Sequence, residues 1–127
     1  MDLTRNSSVA LAERRLGWLE ERQRVLAQNI ANADTPGYQP RDLGDFRASM
    51  ATAFGMARTS GLHLEGRQSG PRARPDAVPG ERAPNGNAVS LDREAIKVAD
   101  TDTAHALATG LYRRWFGLFR TALGRPQ

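Results

Sequence analysis

The chain has no cysteine. That absence excludes disulfide frameworks, thiolate metal sites and cysteine nucleophiles, and it leaves the redox compartment open. Aromatic residues are scarce, eight in 127, and the hydrophobic content is 39%; both are low for a large globular core. No apolar run approaches the roughly 20 residues that span a bilayer, so no direct membrane span is expected. The opening MDLTRNSSVA lacks the apolar stretch of a cleaved secretion signal. Lysine is nearly missing, since 17 arginines and a single lysine face 14 acids for a net charge of +4. The arginines are scattered, and acids interleave with them from Glu13 to Glu21 and from Asp92 to Asp102. That pattern describes a solvated mixed surface better than a phosphate-binding stripe. His63 and His105 stand apart from any ligand at metal spacing, and no phosphate loop or nucleophile signature is present. An enzyme is therefore not expected, and neither is a catalytic, metal or cofactor site. An elongated or assembling protein fits this composition.

What the sequence does contain is helical periodicity. Val9, Ala12, Leu16, Leu19, Gln23, Leu26, Ile30 and Ala33 recur at alternating spacings of three and four, the period of a coiled-coil seam. Leu11, Trp18 and Val25 add a second apolar line, so the helix needs more than one neighbour. A second stretch opens with Ser90 as N-cap and with Asp92 and Glu94 in its first turn, where acids suit the positive end of the helix dipole. Its seam runs through Ala104, Leu107, Leu111, Trp115, Leu118 and Ala122, beside a stripe of Ala108, Tyr112, Phe119 and Leu123. Helices of about 30 residues at each end would both be ~45 Å long. The pattern predicts an all-α fold, an elongated antiparallel, coiled-coil-like pair of long N- and C-terminal helices.

The segments expected are an N-terminal axial helix over 1–34, a turn and short helix over 35–57, an irregular loop over 58–89 and a C-terminal axial helix over 90–127. The short helix follows Asp45 and is marked by Phe46, Met50 and Ala53 to Phe54. From Gly55 to Asn87 the chain holds six glycines and four of its seven prolines, too little apolar content to offset the entropy of ordering. Within it, Leu62 and Leu64 flank His63 in the alternation of a short strand.

The stretch AQNIANADTPGYQPRD, which ends the first helix, is the most informative. Asn29 and Asn32 are poor helix formers. Three apart beside Ile30, they can hydrogen-bond between helices, as Gln23 can within the seam; otherwise Asn32 frays the helix end and Asn29 faces water. Thr35 precedes a proline and is pushed toward extended geometry, while Pro36-Gly37 is the pair preferred at the centre of a type II turn. Tyr38 then lands just past the turn, where its ring can pack on the helix end.

NIANADTPGY resembles the N-terminal signature of the bacterial flagellar axial proteins, and ANADTPGY followed by RD is most similar to proximal members of the basal-body rod family. NGNAVSLDREAIKVAD is similar to the stretch that leads into the C-terminal helix of the same proteins. Two motifs in the right order, at the two ends of the chain, carry the resemblance. It implies a structural subunit whose terminal helices pack into a tubular wall that transmits motor torque. The implied partners are further copies, other rod subunits, the MS-ring or its adaptor at the rod base, and the flagellar type III export apparatus. The implied location is the periplasmic rod, reached without a cleaved signal. Subunit contacts would then involve Leu16, Leu19, Gln23, Leu26, Asn29, Ile30 and Asn32 on the first helix. Thr35, Pro36, Gly37 and Tyr38 at the turn, and Leu107, Leu111, Trp115 and Leu118 on the second helix, would join them. Leu26 is expected to be at least partly solvated before assembly. A basic nucleic-acid binder and a cytoplasmic coiled-coil adaptor are the alternatives from other classes.

Overall fold

The computed structural model describes residues 8–53, 71–76 and 81–124. In chain order these form α1 (Ser8–Ala31), β1 (Arg41–Leu43), α2 (Phe46–Ala53), β2 (Ala73–Pro75) and α3 (Leu91–Ala122). α1 and α3 pack on one another and dominate the fold. Three polar bridges fix their direction. Tyr112 donates its hydroxyl to Glu13 at 3.3 Å, Gln23 its amide to Asp102 at 2.8 Å, and Asn29 its amide to Glu94 at 2.8 Å. As the α1 number rises the α3 number falls, so the pair is antiparallel.

Over the described residues the two helices differ in extent. α1 has 24 residues and α3 has 32, or ~36 Å against ~48 Å at 1.5 Å per residue. By the register of the three bridges, α3 beyond about Gly117 projects past Ser8, the first described residue of α1.

The core is small, as the composition requires. Trp18, Leu19, Val25, Leu43 and Ala108 are buried together, with Leu16, Phe46, Ala73 and Ala104 packed against them. Leu26 is also fully buried. Both apolar lines of α1 therefore find partners within the chain over much of its length. The seam line meets α3, and the line through Trp18 and Val25 meets β1 and Phe46. Trp18 and Phe46 meet edge to face with centroids 6.0 Å apart, the indole N–H donates to the Gly44 carbonyl at 3.2 Å, and the Arg15 guanidinium lies 4.8 Å from both rings. Leu26 is thus not the half-solvated side chain expected of an unassembled subunit, because the chain supplies its own second helix.

On α3 the residues that meet α1 are displaced from the expected seam. Glu94, Thr101 and Ala108 are the buried ones, with Lys97 and Ala104 half-buried between them and Tyr112 half-buried one turn beyond. This set keeps a three-four spacing but lies a fraction of a turn from Leu107, Leu111 and Leu118, which are exposed. The physical reason is the length of the polar partners. Glu94 and Lys97 reach inward to charged groups described below, and they turn their own line of the helix toward α1.

β1 and β2 pair antiparallel, with Arg41 opposite Pro75, Asp42 opposite Arg74 and Leu43 opposite Ala73. β2 falls within the segment read as an irregular loop, and the strand read at Leu62 to Leu64 lies outside the described residues. α2 starts where the spacing predicted, and Asp45 caps it by accepting the Arg47 N–H at 3.2 Å.

Candidate functional site: a polar clamp and the helix faces it positions

The two sequence motifs meet in space. α1 ends in a tightened last turn, with the Asn32 amide N–H bonded to Gln28 and Asn29 carbonyls at 3.1 and 3.2 Å. The Tyr38 N–H then reaches the Thr35 carbonyl at 3.3 Å, and Gly37 has φ of 70°. That is the geometry of a type II turn centred on Pro36-Gly37, and the positive φ is why glycine stands there. Asn85, Gly86 and Asn87 form a second turn that lies directly on the first. The Asn85 carbonyl accepts the Gly37 N–H at 3.0 Å, and the Tyr38 carbonyl accepts the Ala88 N–H at 3.0 Å. Gly86 also has positive φ, 82°, and a Cβ there would stand 3.4 Å from the Gly37 Cα.

Asn87 locks the two turns together. Its buried amide donates to the carbonyls of Asn32 at 3.0 Å and Thr35 at 2.7 Å, while its side-chain oxygen accepts the Val89 N–H at 2.8 Å. Each of these carbonyls also accepts a backbone N–H, Asn32 from Thr35 at 3.0 Å and Thr35 from Tyr38 at 3.3 Å, so the segment that starts α3 adds a second bond to both. Thr35, Pro36 and Gly37 present their outer side to solvent, and Tyr38 is half-buried.

Asn29 ties the same region from inside. It is 0% exposed. Its amide nitrogen donates to the Arg41 carbonyl at 2.7 Å and to Glu94 at 2.8 Å; its oxygen accepts the Arg41 N–H at 3.0 Å and the Tyr38 hydroxyl at 3.2 Å. All four hydrogen-bonding positions of the amide are used. Asn29 therefore does bond between helices, but the partner helix is the chain's own α3. The side chain of Asn32, a half-buried residue, bonds only locally, to the Gln28 carbonyl at 2.8 Å and from the Thr35 hydroxyl at 3.1 Å.

Beside Asn29 lies a cluster of charges drawn from four segments. Arg22 of α1 grips Asp42 of β1 through two bonds of 3.0 Å. Lys97 of α3 donates to Asp76 at 2.7 Å and Glu94 at 2.9 Å and stands 3.7 Å from Asp42. Arg93 approaches Asp76 at 3.5 Å. Three cations thus face three carboxylates, which is the condition for burying them at tolerable cost. The chain's single lysine sits at the centre, where a compact ammonium with three donors can serve several carboxylates that a planar guanidinium could not. Burial pushes the Asp42 carboxyl up, but Arg22, the Leu43 N–H and Lys97 outweigh it and hold the group below its ordinary value. Burial likewise lowers Lys97, yet its bonds to Asp76 and Glu94 leave it raised overall. The Asp42 bond raises Arg22. Asp42, Lys97 and Arg22 are thereby each held in the charged form at neutral pH.

Of the candidate contact residues, Leu19, Leu26 and Asn29 are buried within the subunit, Leu16 and Gln23 are half-buried between α1 and α3, and Ile30 is exposed. Leu107, Leu111, Trp115 and Leu118 all lie on the outside of α3, Leu107 at 66% exposure and Leu111 at 47%. Sequence reading missed Arg22, Asp42, Asp76, Asn87 and Lys97. The single lysine three residues after Glu94 was the available signal. Asn87 was visible inside the quoted NGN motif but carried no partner until the fold brought Thr35 to it.

Comparison with known proteins agrees with this geometry. The family model described as flagella basal body rod protein matches residues 12–39, the segment running from α1 through the Tyr38 turn. The flagellar basal body rod protein FlgB of Escherichia coli K12 is 34% identical over 103 residues, covering 69% of this chain and 72% of the relative. FlgB of Yersinia enterocolitica is 38% identical over 92 residues, 63% of this chain and 66% of the relative. FlgB of Agrobacterium fabrum is 51% identical over 57 residues, 42% of each chain. With both terminal motifs interlocked in one fold and relatives aligned over most of its length, the chain belongs to the FlgB family of flagellar basal body rod proteins.

Proposed function

We infer that this chain is a structural subunit of the proximal flagellar rod, packed into the axial tube through the outward faces of its terminal helices. The observation that carries this reading is the division of apolar residues on α3. Ala104 and Ala108 are turned to the core beside α1, while Leu107, Leu111 and Leu118 form a separate exposed line. In a small protein with so little core, large aliphatic side chains left on a helix exterior are positioned for burial by neighbours. The polar clamp gives the subunit the stiffness a torque-bearing wall needs, because it holds α1, both turns, the β-ribbon and α3 in one fixed arrangement. The partners are other rod subunits and further copies, with the MS-ring or its adaptor at the rod base. Delivery to the periplasm is by the flagellar type III export apparatus. No observation favours catalysis, a cytoplasmic adaptor or nucleic-acid binding, and three of the arginines, Arg22, Arg24 and Arg93, are held in ion pairs.

The test is a Leu107→Asp/Leu111→Asp variant in a strain lacking the native subunit. Both side chains are exposed in the isolated chain, so helix content and thermal melting should stay near wild type. Incorporation into purified basal bodies and swimming should be lost, because an unpaired carboxylate in a dry contact costs several kcal/mol. Normal incorporation of the variant would show that this line of α3 faces solvent in the rod.

A further inference from the structure

The outward side of α3 carries a regular row. Ile96, Leu107 and Leu118 stand eleven residues apart, close to three full helical turns, so they stack along one line ~33 Å long. Their exposures are nearly equal, 63%, 66% and 58%. The row lies roughly 100° around the helix from Ala108, clear of the line that meets α1, and Leu111 borders it. It is also symmetric about its centre. Asp100 stands seven residues before Leu107 and Arg114 seven after it, both exposed, and among the described residues neither is held in an ion pair.

We propose that the free subunit pairs with a second copy of this chain through that row, as an antiparallel α3–α3 dimer with its two-fold axis at Leu107. This arrangement sets Leu107 against its own counterpart, Ile96 against Leu118 of the second copy and Asp100 against Arg114 of the second copy, so apolar meets apolar and each acid meets a base. The positions between raise no conflict, since Thr103 falls opposite Leu111 and Arg93 opposite Thr121. Two features select this occupant. A parallel pair would place Asp100 against Asp100 and Arg114 against Arg114, like charges that repel. The α1 of a second copy offers the row no apolar line, because the exposed residues of its outer side include Glu13, Arg14, Glu20 and Arg24. A single helix pair is a small interface, below about 1,200 Å², so the dimer should dissociate on dilution. A two-fold contact is closed and cannot propagate; it covers, on the free chain, the line that rod neighbours would need and so holds the subunit out of premature polymerisation. The contact rests on the reading of that line as a surface to be buried, but it concerns the chain before assembly.

The experiment is sedimentation equilibrium of the full chain at low salt, with circular dichroism to check the fold of each variant. A monomer–dimer equilibrium is expected. Asp100→Arg and Arg114→Asp should each weaken it about tenfold, since each reverses two exposed charge pairs, and the double exchange Asp100→Arg/Arg114→Asp should restore it. A parallel pair would show neither the losses nor the rescue. Because the chain has no cysteine of its own, introduced thiols report the orientation. Mild oxidation should cross-link Leu107→Cys, which lies on the axis, and not Leu118→Cys, whose two copies would stand ~33 Å apart. A chain that stays monomeric up to about 1 mM, oligomers that grow beyond a dimer, undiminished association of the single charge variants, or cross-linking of Leu118→Cys as readily as Leu107→Cys would overturn the proposal. A monomeric chain whose Leu107→Asp/Leu111→Asp variant still fails to enter basal bodies would remove the dimer and leave the rod reading standing; a charge-dependent dimer whose variant incorporates normally would do the reverse.

Discussion

Asn29 and Asn32 stand three residues apart in the same motif, yet their substitution by alanine should have very different consequences. Asn29→Ala removes a fully buried amide and leaves the Arg41 N–H, the Arg41 carbonyl and one Glu94 oxygen without their partner. Each such stranded group costs about 1–3 kcal/mol when water cannot replace the lost bond. The Tyr38 hydroxyl is half-buried and can turn to water, and Glu94 keeps Lys97, so the lower part of that range applies and the sum is about 3–5 kcal/mol. That is a large share of the roughly 5–15 kcal/mol that holds a typical domain together. Asn32→Ala loses one bond to a carbonyl of its own helix and one to Thr35, both at the surface, and should cost no more than about 1 kcal/mol. Asn29→Asp should be worse than alanine at neutral pH, because it sets a second carboxylate against Glu94. The introduced group would have a folded pKa above its unfolded one, so its penalty should shrink as pH falls through that raised value. Urea denaturation followed by circular dichroism measures all three. Equal losses for Asn29→Ala and Asn32→Ala, or a loss below about 1 kcal/mol for Asn29→Ala, would refute the saturated-amide account.

The remaining predictions concern the charge cluster and the turns. Asp42 is depressed in the folded state, so its contribution is present above its unfolded pKa and should be lost as pH falls through the folded one. Lys97 is raised, so its contribution is complete below its unfolded pKa and should be lost as pH rises through the higher folded value. Denaturation midpoints should therefore show a plateau through neutrality with losses on the acidic and strongly alkaline sides, and a flat profile at acid pH would contradict the cluster. Lys97→Met leaves Glu94 and Asp76 facing each other without their ammonium and should cost about 3–5 kcal/mol in the same assay. Asn87→Ala removes the second donor from the Asn32 and Thr35 carbonyls and the acceptor of the Val89 N–H and should cost about 2 kcal/mol, with faster hydrogen exchange at Gly37 and Ala88. Gly37→Ala forces a side chain to positive φ and should destabilise by about 1–2 kcal/mol, whereas Gly110→Ala in the open middle of α3 should stabilise by ~1 kcal/mol; thermal melts giving the two the same sign would refute the turn assignment.

Local features were legible without the fold. The three-four spacing of α1, the short helix after Asp45, the Ser90 start of α3 and the turn at Pro36-Gly37 each depend on residues within a few positions of one another. Propensity, dipole and steric rules act at that range, and the sequence determined these elements together with the family they signal. The β-ribbon was beyond reach. Two strands of three residues are too short to show alternation, and Leu43 meets Ala73 only after a long intervening segment has been spanned. The face of α3 that meets α1 was also decided by tertiary structure, because periodicity ranks positions by apolarity. The line actually used runs through Glu94, Lys97 and Thr101, polar residues whose burial is tolerable only with Asn29, Asp42, Asp76 and Arg22 already in place. Hydrophobic spacing announces a helix from its own residues. A buried charge or amide has no meaning until its partners arrive from other segments, and here those partners come from α1, the ribbon and α3 at once.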